Sequence, residues 1–292
     1  MQIIMLKVRG GNSVKNGAAV LWKGKAILIE TINESFQFNW RLTVAELLES
    51  SQWEELLSWY NSEGKFKLDY VKSVSFDKGD IVKLYDKPNV VWGVGANYWK
   101  KAEQMKVTPP DGEPICFMKP PTSLIGHGEN IVIPHISEDV TAEAEIGIVI
   151  GQQCKDVSIE EAWDVVAGFT PTLDMTAQDI HARNPRFLGR SKVCDTFCSF
   201  GPLLISKDEV EDWSKLSIET ILNGEVIHQA VVADMIYSIP YIVHYFSTMM
   251  TLMPGDMIMT GTPGSVKIKS RDVVESRIHG FMELENGVRN TK

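Results

Sequence analysis

Two glutamates separated by one residue, Glu143 and Glu145, stand immediately before an apolar run at residues 146–150. The β-branched composition of that run predicts a strand that enters a buried sheet. Side chains at positions i and i+2 of a strand point to the same face, so the two carboxylates would project side by side. Adjacent anions repel each other unless a cation lies between them, and a hard divalent metal is a natural partner for oxygen ligands. The Ala-Glu alternation is also typical of a sheet edge with its glutamates in water, which is the commoner arrangement when the motif is taken alone.

Other motifs follow this pair in a characteristic order. Asp174 comes after a second predicted strand that contains Gly-Phe-Thr, and Lys192 precedes an Asp-Thr-Phe sequence. In order and spacing, these motifs resemble the fumarylacetoacetate hydrolase family over roughly residues 90 to 288. The further matching motifs are Phe117-Met118-Lys119-Pro120, Asn223-Gly224-Glu225 with Gln229, and Pro254-Gly255-Asp256 leading to Thr260-Gly261-Thr262-Pro263.

Composition narrows the class of protein. The chain has 292 residues, of which 44% are hydrophobic and 23% charged, enough for one large domain with or without a small appendage. A net charge of −9 argues against nucleic acid or an anionic membrane as partner, because both require a basic surface. No apolar run approaches the ~20 residues that span a bilayer, and the first eight residues do not resemble a signal peptide. Cys194 and Cys198 lack zinc-ligand spacing. We therefore expect a cytoplasmic protein.

Turn and helix signals divide the chain into two predicted domains. Residues 18–30 are typical of a hairpin that turns at Lys23-Gly24, and two Ser/Thr-x-x-Glu capping boxes follow at Thr43 and Ser51. We predict a small α+β N-terminal domain at residues 1–86 and a catalytic domain at residues 87–292. In the second domain, short apolar segments alternate with turn signals, and only residues 158–167 and 238–253 have helical patterns. The prediction is a β-rich α+β fold, and the resemblance implies the rolled mixed β-sheet of the family.

The resemblance also implies a function. Glu143, Glu145 and Asp174 would hold Mg²⁺ or Mn²⁺, with coordination positions left for the carboxylate and 2-oxo oxygen of a keto acid. The metal would act as a Lewis acid toward the enolate that forms when a bond next to the carbonyl breaks, and Lys192 would add positive charge to the developing oxyanion. The residues implied in substrate binding are Lys119, Gln178, His181 and Thr262.

One departure from the family pattern concerns proton transfer. Hydrolytic and decarboxylating relatives have Asn-Tyr-x-x-His-x-x-Glu where this chain has Asn-Tyr-Trp-Lys-Lys-Ala-Glu-Gln, so Lys101 takes the histidine position and Gln104 the glutamate position. A lysine is ordinarily protonated at neutral pH, and a glutamine transfers no proton. Lys101 is therefore a candidate base only if its surroundings favour the neutral amine.

Three functional hypotheses remain open at the level of sequence. The first is a metal-dependent hydrolase, isomerase or decarboxylase that acts on a 2-oxo acid through a metal-stabilised enolate. The second is a 2-oxo-3-deoxy sugar-acid dehydratase, which needs no attack of water on carbon. The third is a catalytically silent relative that binds metal and a small acid.

The resemblance further implies a homodimer. We expect sedimentation at micromolar concentration to give the mass of two chains, because an obligate dimer of this family would remain associated there. A stable monomer under those conditions would contradict this prediction.

Overall fold

The computed structural model describes residues 1–10, 13–85, 88–105 and 113–291; a loop expected at residues 108–112 lies outside these ranges. The strands are β1 (Gln2–Gly10), β2 (Ser13–Trp22), β3 (Lys25–Leu28), β4 (Ile81–Val82), β5 (Val91–Gly95), β6 (Ile115–Lys119), β7 (Leu124–Ile125), β8 (Ile131–Ile133), β9 (Val140–Ile150), β10 (Val166–Ala177), β11 (Cys198–Phe200), β12 (Leu203–Ser206), β13 (Ser217–Leu222), β14 (Glu225–Val231), β15 (Met257–Met259), β16 (Val266–Lys267), β17 (Val273–Ile278) and β18 (Leu284–Asn290). The helices are α1 (Ile29–Phe36), α2 (Val44–Glu49), α3 (Gln52–Trp59), α4 (Lys65–Lys67), α5 (Trp99–Met105), α6 (Gln178–Arg183), α7 (Leu188–Lys192) and α8 (Ile239–Met249).

Two mixed β-sheets form the body of the protein, which confirms the predicted β-rich α+β class. The main path of the larger sheet runs β3-β2-β1-β12-β10-β9-β15-β5-β6, and the smaller sheet has the order β14-β13-β17-β18-β8. The N-terminal strands β1 to β3 thus extend the same sheet that contains β9 and β10. The proposed domain boundary near residue 86 stays a prediction.

Local signals near the N-terminus produced the expected elements. Lys23 and Gly24 both have positive φ angles, 49° and 76°, which suit the tight turn between β2 and β3. At α2, Thr43 Oγ1 accepts a hydrogen bond from the Glu46 backbone N–H and donates one to the Glu46 carboxylate. Helix α3 also forms, but its first cap residue, Ser51, makes no side-chain cap hydrogen bond.

The prediction of a helix at residues 158–167 is wrong. Its capping box is present, since Ser158 and Glu161 exchange hydrogen bonds, but the segment is a series of turns held by i→i+3 bonds. Strand β10 already begins at Val166, where it pairs with Ile150. The few residues left between β9 and β10 are too short for a stable helix, because nucleation is costly and long-range pairing takes the following residues.

The antiparallel pair β9–β10 lies at the centre of the larger sheet. Every residue of both strands is buried, as expected for central strands covered on both faces. On one face, the apolar side chains of Ala142, Ala144 and Ile146 join a core cluster. The opposite face carries Glu143 and Glu145. Within the described part of the chain, no helix is long and apolar enough to cross a membrane.

Candidate active site

Three carboxylates meet on the polar face of the β9–β10 pair. Glu143 and Glu145 are two residues apart on β9, and Asp174 lies directly opposite Glu143 on β10. Their oxygen atoms approach within 4.8 Å of one another, and all three residues are buried. The structure therefore brings together the three residues predicted as metal ligands.

Three lysines surround this carboxylate triad. Lys192 Nζ, on α7, is 3.2 Å from Glu143 Oε2 and makes a short contact with Asp174 Oδ2. Lys101 Nζ, on α5, is 3.2 Å from Glu143 Oε1. Lys119 Nζ, at the end of β6, is 2.5 Å from Asp174 Oδ1. Glu143 and Asp174 therefore each contact two ammonium groups.

Glu145 has a different electrostatic environment from its neighbour. Burial, together with the charges of Asp174 and Glu143, holds its pKa well above the usual range. At Glu143, burial also favours the neutral acid, but Lys192 and Lys101 outweigh it and lower the pKa to about 2. Among the described residues, no lysine or arginine forms an ion pair with Glu145; its Oε2 accepts a hydrogen bond of 2.7 Å from the Gly261 backbone N–H. Within the described part of the chain, Glu145 is thus the one carboxylate of the triad without an ion-pair partner.

The triad opens into a cavity of about 430 Å³. Lys101, Lys192, Gln178, His181 and Thr262 all line it together with the three carboxylates. Gln178 is exposed at its rim, and His181 is half-buried. Burial, and after it the charge of Lys192, lowers the pKa of His181.

Lys119 is placed differently from the other predicted substrate-binding residues. Its side chain has no exposed surface, and besides Asp174 its ammonium group bonds the carbonyl oxygens of Met175 and Phe197. Lys119 does not belong to the cavity wall and lies behind Asp174. In this position it holds the Asp174 carboxylate in place and is shielded from a ligand.

Loops after β5 and β15 complete the site; the sequence predicted a role there for Thr262 but none for Gly261 or Asn97. Gly261 donates its N–H to Glu145 at a φ of +95°, and a Cβ there would lie 2.8 Å from the Asn97 Cβ. Only glycine meets both requirements. The buried Asn97 side chain donates to the Thr260 carbonyl at 2.7 Å, which joins the two loops. It also accepts from the Tyr237 N–H at 2.8 Å, which ties them to the segment before α8.

Two residues of the cavity wall with hydroxyl side chains were also not predicted from the sequence. Ser265 Oγ accepts a hydrogen bond of 2.9 Å from Lys101 Nζ and so helps to orient that lysine. Thr176 lies two residues after Asp174 on β10 and faces the same cavity. Of the two, only Thr176 could have been found from the sequence, because position i+2 of a strand shares the face of position i, here Asp174.

The donor set suits a hard divalent cation. Mg²⁺ and Mn²⁺ prefer carboxylate oxygens, and three such groups from two rigid neighbouring strands leave coordination positions for small ligands. A cation would also relieve the repulsion that acts on Glu145. The fold and site together define a β-rich protein with a buried, carboxylate-lined, metal-suited cavity.

The comparisons with known proteins give this class a family. The protein-family model described as "Fumarylacetoacetate (FAA) hydrolase C-terminal" matches residues 90–289 of the sequence. The chain belongs to the fumarylacetoacetate hydrolase family, as its motifs predicted.

Individual relatives support this assignment. An uncharacterized protein of Archaeoglobus fulgidus is 39% identical over 231 residues, which cover 77% of this chain and 90% of the relative. The mitochondrial oxaloacetate tautomerase FAHD1 of Bos taurus is 33% identical over 202 residues, covering 66% of this chain and 91% of the relative. Among solved structures, the maleylpyruvate hydrolase of Sphingobium sp. SYK-6, in complex with manganese(II) and pyruvate, has a TM-score of 0.77 at 24% identity, covering 99% of this chain and all of that one. The last comparison supports the fold alone.

Proposed function

We propose that this protein is a divalent-metal-dependent enzyme that acts on a 2-oxo acid through an enolate. The observation that carries the proposal is the convergence of Glu143, Glu145 and Asp174 on a cavity that also contains the Lys192 ammonium group. One relative supports it by its named activity, since the Bos taurus protein is an oxaloacetate tautomerase. Mg²⁺ or Mn²⁺ is the metal that the three carboxylates would hold.

Charge balance at the site favours an anionic substrate. With a divalent cation bound to three ionised carboxylates, the three lysine ammonium groups around them would leave a surplus of two positive charges. The enolate form of a 2-oxo acid carries two negative charges, one on its carboxylate and one on the enolate oxygen. In a buried site with low effective dielectric, such matching contributes strongly to binding.

The residues of the cavity have separable roles in this proposal. The metal supplies Lewis-acid stabilisation of negative charge at the substrate carbonyl. Lys192 adds a second positive charge that is held in place by Glu143 and Asp174, with its Nζ 4.5 Å from the centre of the Phe117 ring. An ammonium group fixed before reaction needs little reorganisation when charge develops. Thr262, Gln178 and His181 bind the substrate, and Lys119 positions Asp174.

Lys101 bears on the type of reaction. In place of the family's histidine, the structure has an ammonium group that contacts Glu143 and Ser265. A lysine engaged in an ion pair is a poor base for the activation of water. This arrangement favours reactions without attack of water on carbon, such as tautomerisation or the dehydration of a 2-oxo-3-deoxy sugar acid.

A panel of 2-oxo acids tests the proposed function. We expect turnover of at least one member with Mg²⁺ or Mn²⁺, and loss of that turnover with EDTA, because in this proposal the metal supplies the Lewis acid. The panel should contain oxaloacetate, acylpyruvates and 2-oxo-3-deoxy sugar acids. Binding of metal and acid without turnover would identify a silent relative, and turnover insensitive to EDTA would contradict a metal enzyme.

We propose further that the active form is a cytoplasmic homodimer.

Lys192→Met should lower kcat about 10²–10³-fold, because it removes a fixed positive charge from the developing oxyanion. The fold should survive, since Glu143 keeps Lys101 and Asp174 keeps Lys119 as partners. Lys215→Met, at a side chain that is 82% exposed, is the matched control and should leave kcat unchanged. Steady-state kinetics on the substrate identified by the panel measures both. A kcat within two-fold of wild type in Lys192→Met would contradict the assigned role.

A further inference from the structure

One hydroxyl group in the cavity wall has no hydrogen-bond partner. Thr176 is 4% exposed, and its Oγ1 finds no donor or acceptor among the described residues. A buried hydroxyl without a partner costs stability, because it has lost its hydrogen bonds to water. Such a group in a binding cavity is poised for a partner that the protein itself does not supply.

The position of Thr176 indicates which part of a ligand it would meet. It shares the face of Asp174 on β10 but lies one strand repeat farther along, a distance of about 7 Å. In the proposed function, the 2-oxo group and the carboxylate of the substrate bind at the carboxylate triad. The distal carbons of such a substrate would then extend toward Thr176.

Apart from the triad and the two lysines paired with it, the described cavity wall carries no charged side chain. Beyond the triad and its two lysines, the described wall residues include Ile115, Phe117, Pro185 and Leu188, and the polar ones are amide, hydroxyl and imidazole groups. A second carboxylate would normally be matched by an arginine or lysine. In the described part of the wall, Lys101 and Lys192 are the cationic residues, and both are paired with the triad.

We propose that Thr176 is a substrate-binding residue that hydrogen-bonds a carbonyl or hydroxyl oxygen on the uncharged distal part of the 2-oxo acid. This inference rests on the proposed function and narrows its substrate class to 2-oxo monocarboxylates with a distal oxygen. Dicarboxylates are disfavoured because both cations of the described wall are already paired with the triad, so a second carboxylate would be desolvated without a partner among these residues.

Calorimetric binding to the Mn²⁺-loaded protein tests the inference with four ligands: pyruvate, 2-oxopentanoate, 4-hydroxy-2-oxopentanoate and 2-oxoglutarate. We expect the hydroxylated acid to bind roughly ten-fold more tightly than 2-oxopentanoate, the size of one neutral hydrogen bond. We expect 2-oxoglutarate to bind more weakly than either. In Thr176→Val, 4-hydroxy-2-oxopentanoate and 2-oxopentanoate should bind with about equal affinity.

Thr141→Val is the matched control. Thr141 lies opposite Thr176 in the β9–β10 register, and its hydroxyl is also buried without a partner among the described residues, but it does not line the cavity. This variant should keep the ten-fold ratio. Neither variant should lower the thermal unfolding midpoint, because valine suits a buried strand and removes an unpaired polar group.

The outcomes separate this inference from the proposed function. An unchanged ratio in Thr176→Val, or a lowered unfolding midpoint that reveals a structural partner for its hydroxyl, would overturn the role of Thr176. Tighter binding of 2-oxoglutarate than of the other acids would overturn the uncharged distal region. Failure of all four acids to bind, pyruvate included, would overturn the proposed function itself.

Discussion

Asp174→Asn should reduce divalent-metal affinity by more than ~10²-fold and also destabilise the fold. Loss of even an outer partner of a metal site typically costs 10–100-fold in affinity, so the loss of a ligand should exceed that range. The substitution also leaves the ammonium groups of Lys119 and Lys192 facing a neutral amide. Removal of one partner of a buried ion pair typically costs about 3–5 kcal/mol. Calorimetry with Mn²⁺ and denaturant unfolding in EDTA measure the two effects.

Glu145→Gln is the variant that separates metal binding from stability. Its metal affinity should fall as in Asp174→Asn, because a charged ligand is lost. In EDTA, however, its stability should equal or exceed that of wild type. Glutamine keeps an oxygen that can accept the Gly261 hydrogen bond, and it removes the repulsion that Asp174 and Glu143 exert on the Glu145 carboxylate.

Two results would contradict this account of the triad. Unchanged metal affinity in both Asp174→Asn and Glu145→Gln would show that these residues are not the ligands. Equal destabilisation of the two variants in EDTA would show that the lysine contacts of Asp174 do not distinguish it energetically from Glu145.

The double variant Lys101→His/Gln104→Glu should gain acylpyruvate hydrolysis that the wild type performs weakly or not at all. The two changes restore the residue types of the family's proton-handling pair on α5, the helix whose Lys101 lines the cavity. A positioned general base typically contributes ~10²–10⁴-fold in rate, so the gain should be easy to measure. Initial rates with an acylpyruvate, compared with oxaloacetate and a 2-oxo-3-deoxy sugar acid, show whether hydrolysis is the step that improves.

Glu103→Gln is the control for that experiment. Glu103 is exposed on α5, one position away from the predicted pair, so it should not replace the missing acid. Its removal should leave every rate unchanged. Efficient acylpyruvate hydrolysis by wild type, undiminished in Lys101→Ala, would contradict the role that we assign to position 101.

The sequence by itself determined the features that depend on near neighbours. The alternation of side chains along a strand placed Glu143 and Glu145 on one face, and the Lys23-Gly24 turn and the Thr43 cap formed as their local chemistry required. The same local reasoning failed at residues 158–167, where a capping box was present without a helix. The segment forms no helix because β10 begins at Val166 and takes its last residues into the sheet. A capping box carries no information about the pairing of a later strand.

The tertiary structure decided what meets at the site. The register that sets Asp174 opposite Glu143, the position of Lys119 behind that aspartate and the Gly261 hydrogen bond to Glu145 all join residues far apart in the chain. Motif order and the family resemblance indicated the first of these contacts, but neither revealed that Lys119 is closed off from the cavity or that Thr176 lacks a partner. Local patterns report the direction of a side chain, whereas its neighbours depend on strand register and loop packing, which only the folded chain defines.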